Sequence, residues 1–324
     1  KPRTIRRGDA IAVILSRLEG NSVNNVAKGN SPFNPGAPVP VELFVGRGEQ
    51  IEHIRERGIE QVENGKPVAV FVDGEFGIGK SSMARFTQRL AQTEHEILCY
   101  YVPLYGAETV DDVIEIVVES IVQTAASSPR IADRIRNLAG KYIKELTLFG
   151  VTLDVDALRR DAPKSPAGLI SFLEKMLESV ESEGIRGIFL VLDEINGITR
   201  NPQFARFIKS FWDGNALSEK SVPILLMLCG VEERRRELIQ GHQPVERIFD
   251  VVSIEPLRSE ETKEFFLRAF GSVKMEIEPK ALETLTYWSA GLPRIMHLVG
   301  IESPGLTAAP AIGEMVRAMA RETL

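Results

Sequence analysis

The sequence lacks the features that mark membrane, disulfide-rich and strongly basic proteins. Only two of its 324 residues are cysteines, too few for a disulfide framework. Both Cys99 and Cys229 lie inside apolar runs, as buried thiols in a reducing compartment do. No apolar run approaches the roughly 20 residues that span a bilayer. Acidic residues (45) outnumber basic residues (39), which gives a net charge of −6 and no basic excess for coating nucleic acid. We therefore expect a cytoplasmic protein without membrane contact.

The overall composition is that of a globular protein. Hydrophobic residues make up 44% and charged residues 26% of a chain long enough for two domains. The first segment, "KPRTIRRGDAIAVILSRLEG", is basic and then apolar, but Asp9 and Arg17 bracket only a short apolar stretch. No small-residue cleavage site follows, so we interpret residues 1–30 as a helical extension with an amphipathic helix and not as a signal peptide.

A glycine-rich motif occurs in "DGEFGIGKSSMARF", residues 73–86. The motif matches G-x-x-x-x-G-K-[ST] with Gly74, Gly79, Lys80 and Ser81 at its fixed positions. A β-branched apolar run over 67–72 precedes it, and apolar residues at helical spacing follow it. Strand, glycine loop and helix N-terminus thus occur in the order that a phosphate-binding loop requires.

The chemistry of this loop follows from its residue types. Glycines allow backbone N–H groups to converge on an anion, and the helix N-terminus adds partial positive charge there. Lys80 would neutralise the β- and γ-phosphates of ATP, and the Ser81 hydroxyl would ligate Mg²⁺. Residues Gly77 to Ser82 are predicted to wrap the phosphates. The nucleotide-binding residues predicted in this loop are Gly74, Phe76, Gly77, Ile78, Gly79, Lys80, Ser81 and Ser82.

An acidic pair ends a second apolar run, "GIFLVLDEIN", residues 187–196. Asp193 at the end of a strand would hold Mg²⁺ through water. Glu194 would polarise the attacking water as a general base. An acidic turn after a strand is the alternative, and the upstream phosphate loop favours the catalytic interpretation.

The remaining pattern predicts the fold class. Five apolar runs of strand length alternate with helical stripes, at 67–72, 96–104, 187–193, 222–230 and about 249–257. Thr109 is expected to cap one of the intervening helices, and a further helix is expected to start near Ser165-Pro166. This alternation predicts an α/β fold, a three-layer P-loop NTPase domain with a mostly parallel five-stranded sheet. One strand lies in the chain between the phosphate-loop strand and the acidic strand, as in P-loop ATPases with an additional catalytic strand.

A small α-helical lid domain is expected to follow the sheet. Residues 259–270 and 279–290 carry helical apolar stripes, and "GLP" at 291–293 then breaks the chain before another helix.

The order of these parts resembles AAA+ ATPases, particularly the branch near origin-recognition-complex proteins and the STAND and archaeal-type ATPases. The segment 31–54 is similar to the lead-in of that branch, where an F-V-G-R box lines the adenine pocket. The matching residues are Phe44, Val45, Gly46 and Arg47, followed by an acidic residue, Glu49. The segment "SAGLPRIMHLVG" at 289–300 resembles the sensor-2 motif. The resemblance implies that Pro293 and Arg294 contact the nucleotide and that Arg294 reaches the γ-phosphate.

Two departures from the family pattern bear on catalysis. The resemblance places a polar residue at the end of the fourth strand, where this chain has Cys229, a poor hydrogen-bond donor, so hydrolysis is expected to be slow. Arg247 matches the region of the arginine finger. The run Arg234, Arg235 and Arg236 lies nearby as an alternative, although a solvated helix face is the default for such a run.

The expected domains are the extension 1–30, the ATPase domain 31–257, the lid 258–300 and a tail at 301–324 that is helical or starts a further module. Within the ATPase domain, 141–165 is expected to carry a small hairpin.

The first functional hypothesis is an ATP-dependent switch of the STAND kind, acting with Mg²⁺ through a homo-oligomer or a protein partner. A DNA-associated ATPase similar to replication initiators or transposition regulators is the rival, since Arg200, Arg206 and Lys209 follow the acidic strand. The third is an inactive nucleotide-binding scaffold.

Overall fold

The computed structural model describes residue 33 and residues 39–126 and 165–299. Contacts divide the chain into two compact units. Of the described residues, one unit contains 53–73 and 87–253, and the other contains 33, 39–52, 74–86 and 254–299. The extension expected over 1–30, the hairpin expected from the alternating run 146–155 and the tail over 301–324 lie outside the described residues. The predicted domain boundaries stay predictions.

The unit of residues 53–73 and 87–253 is built on a five-stranded sheet in which every pairing is parallel. The strands are β1 (Val68–Asp73), β2 (Ile97–Pro103), β3 (Gly187–Asp193), β4 (Ile224–Cys229) and β5 (Phe249–Ser253). Every residue of β3 and β4 is buried, as expected for central parallel strands covered on both faces. The predicted three-layer α/β class with a five-stranded sheet is confirmed, and the sheet is parallel throughout.

The strand order is β2-β3-β4-β1-β5. The strand that separates β1 from β3 in the chain is β2, whereas the strand that separates them in the sheet is β4. Leu192 is level with Leu228, and Cys229 is level with Val72. The carboxyl ends of β3, β4 and β1 therefore lie side by side along one edge of the sheet, with Asp193 next to Cys229.

Two of the longer helices begin at hydroxyl caps. The helices are α1 (Gly48–Ile54), α2 (Glu60–Glu63), α3 (Lys80–Glu94), α4 (Val110–Ala126), α5 (Pro166–Val180), α6 (Pro202–Ala216), α7 (Glu232–Gly241), α8 (Ser259–Ser272), α9 (Pro279–Ser289) and α10 (Pro293–Val299). A π-helical stretch, Arg55–Ile59, joins α1 to α2. The Thr109 hydroxyl accepts a hydrogen bond from the Asp112 N–H (3.2 Å), and the Ser165 hydroxyl accepts one from the Gly168 N–H (3.1 Å). The cap predicted at Thr109 is present, the helix expected near Ser165-Pro166 begins there with Ser165 as its cap, and each hydroxyl satisfies an N–H group that the helix leaves unpaired.

Helices cover both faces of the sheet. On one face, α4, α5 and α6 pack their apolar stripes on β1 to β4 in one continuous core. Phe172 and Phe204 are fully buried there, and burial of a side chain of this size contributes about 1.5–3 kcal/mol. On the other face, Gly58 packs against Leu225 and Val62 lies over Gly187. These layers bury both surfaces of the sheet and leave its carboxyl edge to carry function.

The other unit has its own core. Helices α8 and α10 contribute Phe265, Phe266 and Met296 to a cluster that also contains Phe33 and Leu43. Phe33 lies 5.5 Å from Phe270 between ring centroids, in an edge-on arrangement of the kind that aromatic pairs prefer. The predicted lid helices are therefore present as α8, α9 and α10.

Two sequence expectations concern the cellular environment. Among the described residues, no helix is both long and apolar enough to cross a bilayer. Cys99 and Cys229 are buried and form no disulfide, and burial raises the pKa of the Cys99 thiol well above its ordinary value. The cytoplasmic location stays a prediction.

Candidate functional site

The glycine loop adopts a backbone conformation that its sequence requires. Gly77 and Gly79 have φ of +74° and +104°, values that side-chain-bearing residues rarely adopt. A Cβ at Gly74 would lie 2.8 Å from the Ile254 carbonyl oxygen, so this position also admits no side chain. The loop ends at Lys80, the first residue of α3. A glycine loop that opens directly into a helix N-terminus is the geometry that binds phosphate.

The Lys80 ammonium lies against the backbone of this loop. It donates hydrogen bonds to the carbonyl oxygens of Gly74 and Glu75, both at 2.8 Å. It also lies 5.7 Å from the centroid of the Phe76 ring, within the range of a cation–π contact. Phe76 is 64% exposed. The two carbonyl oxygens accept hydrogen bonds that the ammonium could instead donate to a phosphate. A phosphate is the stronger acceptor because it carries negative charge.

A largely apolar pocket joins this loop to the lead-in segment and the lid helices. Seven of the predicted nucleotide-binding residues line it, namely Phe44, Val45, Arg47, Ile78, Gly79, Ser82 and Pro293. The other lining residues were not predicted for this role and are Val39, Leu43, Leu257, Phe265 and Met296. An apolar pocket that ends on a glycine loop suits a flat base whose phosphates reach that loop.

The F-V-G-R box forms one side of this pocket through close packing. Phe44 stacks on Phe86, with 4.7 Å between ring centroids. Gly46 does not line the pocket, and a Cβ there would lie 2.8 Å from Leu257 and 2.9 Å from Glu261. The glycine thus lets the box approach the first turn of α8.

Arg47 is a buried connection and not a surface cation. It is 8% exposed and has φ of +63°, and its guanidinium donates hydrogen bonds to the carbonyls of Ile78 (3.1 Å) and Glu255. Burial lowers its pKa to about 10, an effect that the negative charges of Glu261 and Glu255 oppose. Arg47 therefore ties the glycine loop to the segment that leads into α8.

The sensor-2 residues lie against the glycine loop. The Arg294 N–H donates to the Gly77 carbonyl at 3.2 Å. A Cβ on Gly77 would lie 2.7 Å from the Arg294 Cβ, so the loop and the start of α10 are in direct contact. The Arg294 side chain is exposed. Pro293 lines the pocket beside Gly79.

The acidic pair ends β3 as predicted. Asp193 is 2% exposed, and its Oδ1 accepts a hydrogen bond from the Glu194 N–H at 2.8 Å. Glu194 has φ of +56°, an uncommon conformation for a glutamate and one that recurs at functional sites. The Asn196 amide donates to the Glu194 Oε2 at 2.9 Å and so orients the predicted base.

Two tyrosines near the acidic pair had no role in the sequence analysis. The Tyr101 hydroxyl donates to the Asp193 Oδ2. The pKa of Tyr105 is raised, first by partial burial and then by the negative charges of Glu194 and Asp193. The strand sequence ILCYYVP places two tyrosines side by side, and no pattern in it indicates which of them meets an acid.

The arginines considered for the arginine finger differ in their surroundings. The Arg235 guanidinium binds both oxygens of Glu232, at 2.8 and 2.9 Å, and this pairing lowers the pKa of Glu232 to about 2. Arg234 and Arg236 also pair with acids of their own helix. Arg247 is exposed in the 3-10 helix Gln243–Ile248. The three arginines of α7 are thus engaged within the chain.

The two residues predicted to ligate magnesium lie in different compact units, and each carries a suitable oxygen ligand. A carboxylate and a hydroxyl are ligands that Mg²⁺ prefers, and proteins commonly hold it with one or two carboxylates plus substrate phosphates. Asp193 supplies a buried carboxylate whose orientation is fixed by hydrogen bonds, and Ser81 supplies a hydroxyl in the first turn of α3.

Comparisons with known proteins agree with this geometry. A family profile described as "AAA ATPase domain" matches residues 43–239. Among solved structures, a Walker-type ATPase of Pyrococcus abyssi is 17% identical, with TM-score 0.57, and the alignment covers 86% of this chain and 74% of that chain. The ORC2 protein of Aeropyrum pernix in its ADP form is 17% identical, with TM-score 0.55, over 89% of this chain and 67% of that chain.

A third similar structure is Cdc6p of Pyrobaculum aerophilum, 14% identical with TM-score 0.55, over 85% of this chain and 65% of that chain. At identities this low, the likeness to solved structures shows the fold alone. No match was found among curated proteins.

Proposed function

The chain belongs to the AAA ATPase domain family, and from that membership we propose that it is an ATP-binding, slowly hydrolysing molecular switch of the STAND kind. The observation that carries the proposal is the pocket in which Gly79, Phe265 and Pro293 meet. It brings the glycine loop and two lid helices to one prospective ligand.

In this proposal the pocket receives the adenine and the loop receives the phosphates. The residues from Gly77 to Ser82 surround the phosphates, with Lys80 exchanging the Gly74 and Glu75 carbonyls for phosphate oxygens. Ser81 and Asp193 hold Mg²⁺. The contact of Arg294 with Gly77 supports a role for its side chain at the γ-phosphate.

Hydrolysis is assigned to Glu194. Its carboxylate accepts a proton from water as the water oxygen bonds to the γ-phosphorus and the bond to the ADP oxygen breaks. Cys229 lies beside Asp193 at the end of β4, where a stronger hydrogen-bond donor would help to orient that water. We therefore propose a low turnover rate.

A switch requires that ATP and ADP favour different states. We propose that Lys80 and Arg294 both contact the γ-phosphate, so that loss of this phosphate removes both interactions together. The ligand shifts the conformational equilibrium by its difference in affinity for the two states. We propose that a homo-oligomer or a protein partner reads this change, with the exposed Arg247 as the candidate arginine finger for a neighbouring site.

The rival is a DNA-associated ATPase, which the similarity to the ORC2 protein and Cdc6p favours. The charges favour the switch. Lys209 pairs with Asp213, so one of the three basic residues that suggested DNA binding is neutralised within the chain, while Arg200 shares the single negative charge of Glu237 with Arg234. An inactive scaffold is the third candidate, for which Cys229 is the motivating residue.

Size-exclusion chromatography with light scattering separates these functions. The protein is run with ADP and with a non-hydrolysable ATP analogue, each with and without duplex DNA, and Lys80→Ala is the control. The switch predicts a change in mass or hydrodynamic radius with the ATP analogue alone, absent in Lys80→Ala. A change that requires DNA and disappears with added salt would support the rival. An unchanged profile throughout would support the scaffold.

A further inference from the structure

We propose that Tyr101 is a positioning residue that fixes the Asp193 carboxylate in the orientation needed to hold the magnesium–nucleotide complex. The inference rests on the proposed function, because it takes Asp193 as the carboxylate that serves the metal. It adds a specific role for the strand β2, to which the phosphate loop and the acidic motif assign none.

The sheet register brings the two side chains together. Tyr101 is level with Val191, and Pro103 is level with Asp193, so Tyr101 and Asp193 are diagonal neighbours on adjacent strands. Side chains at positions 191 and 193 point to the same face as Tyr101, since side chains alternate along a strand. Aromatic side chains reach diagonal cross-strand neighbours. The phenol hydroxyl accordingly donates to the Asp193 Oδ2.

Both oxygens of the carboxylate are thereby oriented. Oδ1 accepts from the Glu194 N–H at 2.8 Å, and Oδ2 accepts from Tyr101. A carboxylate oxygen can accept more than one hydrogen bond, so these bonds do not exclude a water of the metal. With Asp193 at 2% exposure, solvent does little to restrain the carboxylate, and these donors contribute to its rotational restraint.

Carboxylates that serve metals are commonly held by such outer hydrogen bonds, and removal of one typically weakens metal affinity or activity by about 10–100-fold. Tyr101 lies partly at the surface, and its hydroxyl is one of at least two restraints on Asp193, so the lower end of this range applies. We expect Tyr101→Phe to reduce, by about tenfold, the factor by which magnesium increases nucleotide affinity.

The neighbouring residue supplies a matched control. Tyr100 lies on the opposite face of β2, and its hydroxyl donates to the Met176 sulfur at 3.4 Å in the core. Tyr100→Phe removes the same atom from the same strand at a site remote from the carboxylate. Tyr101→Phe therefore removes a hydrogen-bond donor from Asp193, whereas Tyr100→Phe removes one from Met176.

The experiment measures how magnesium changes nucleotide affinity in the full chain. The Kd of a fluorescent, non-hydrolysable ATP analogue is determined with EDTA and with saturating MgCl₂ for wild type and both variants. For Tyr101→Phe we expect a Kd in EDTA like that of wild type and a magnesium enhancement about tenfold smaller. For Tyr100→Phe both values should match wild type. Thermal unfolding in EDTA checks that each variant is folded.

The outcomes separate the inference from the function on which it rests. Equal magnesium enhancement in wild type and Tyr101→Phe, or a larger one in the variant, would overturn the role of Tyr101 and leave the proposed function standing. No binding by wild type in either condition would overturn both. In an Asp193→Asn background, Tyr101→Phe should cause no further loss, and a further tenfold loss there would show that Tyr101 acts independently of Asp193.

Discussion

The contact between the glycine loop and the start of α10 predicts the effect of one methyl group. Gly77 has φ of +74°, and a Cβ there would lie 2.7 Å from the Arg294 Cβ and 2.8 Å from its Cδ. In Gly77→Ala the left-handed conformation costs about 1–2 kcal/mol. Crowding of a packed site costs about 1–3 kcal/mol more. We therefore expect a total loss of about 2–5 kcal/mol in the free energy of unfolding.

Gly65 separates these two costs. It has φ of +80°, and a Cβ there would meet nothing within 4 Å, so Gly65→Ala carries the backbone cost alone. Urea unfolding followed by circular dichroism should show a loss of about 1–2 kcal/mol for Gly65→Ala and a larger loss for Gly77→Ala.

Nucleotide affinity provides the second assay. If the methyl group displaces Arg294 from the loop, Gly77→Ala loses about tenfold or more in ATP affinity, which corresponds to about 1.4 kcal/mol. Gly65→Ala should bind ATP like wild type. Equal stability losses in the two variants, with equal ATP affinity, would refute the contact between the loop and Arg294.

Three further predictions concern single side chains. Glu194→Gln should bind Mg·ATP within about twofold of wild type while turnover falls by about 10²–10⁴-fold, because the general base is lost. Normal phosphate release in a single-turnover assay would remove Glu194 from that role. Arg47→Met leaves the Ile78 and Glu255 carbonyls without this donor and should destabilise the protein by about 1–3 kcal/mol in urea, and unchanged stability would contradict its connecting role. Glu232 has a folded-state pKa of about 2, below its ordinary value of 4.5, so its stabilising effect is complete above about pH 4.5 and is lost as pH falls toward 2. Glu232→Gln should therefore show a shallower loss of stability than wild type over that pH range, and parallel curves would contradict the pairing with Arg235.

Features encoded by local backbone requirements were predictable from the sequence. The glycine loop was recognisable because positive φ at Gly77 and Gly79 demands glycine, and the acidic pair because it interrupts a buried strand. The helix start at Thr109 followed from its capping hydroxyl, and the start near Ser165-Pro166 followed from a proline at the first helical position. Each of these signals lies within a few consecutive residues.

Features that depend on strand order were not predictable in the same way. In the chain, β2 lies between β1 and β3, whereas in the sheet β4 lies between them. No local sequence pattern indicates this difference in strand order. The pairing of Tyr101 with Asp193 depends on the register between β2 and β3. Arg47 looked like a pocket residue in the sequence, and its bonds to the Ile78 and Glu255 carbonyls required the fold of three separate segments.

The central claim is that the loop from Gly74 to Ser81 binds the phosphates of ATP together with Mg²⁺. Isothermal titration of the full chain with Mg·ATP tests it directly, with Lys80→Ala as the comparison. The account predicts saturable heat for wild type and none for Lys80→Ala. Heat absent from wild type at millimolar nucleotide, or equal in both proteins, would contradict it.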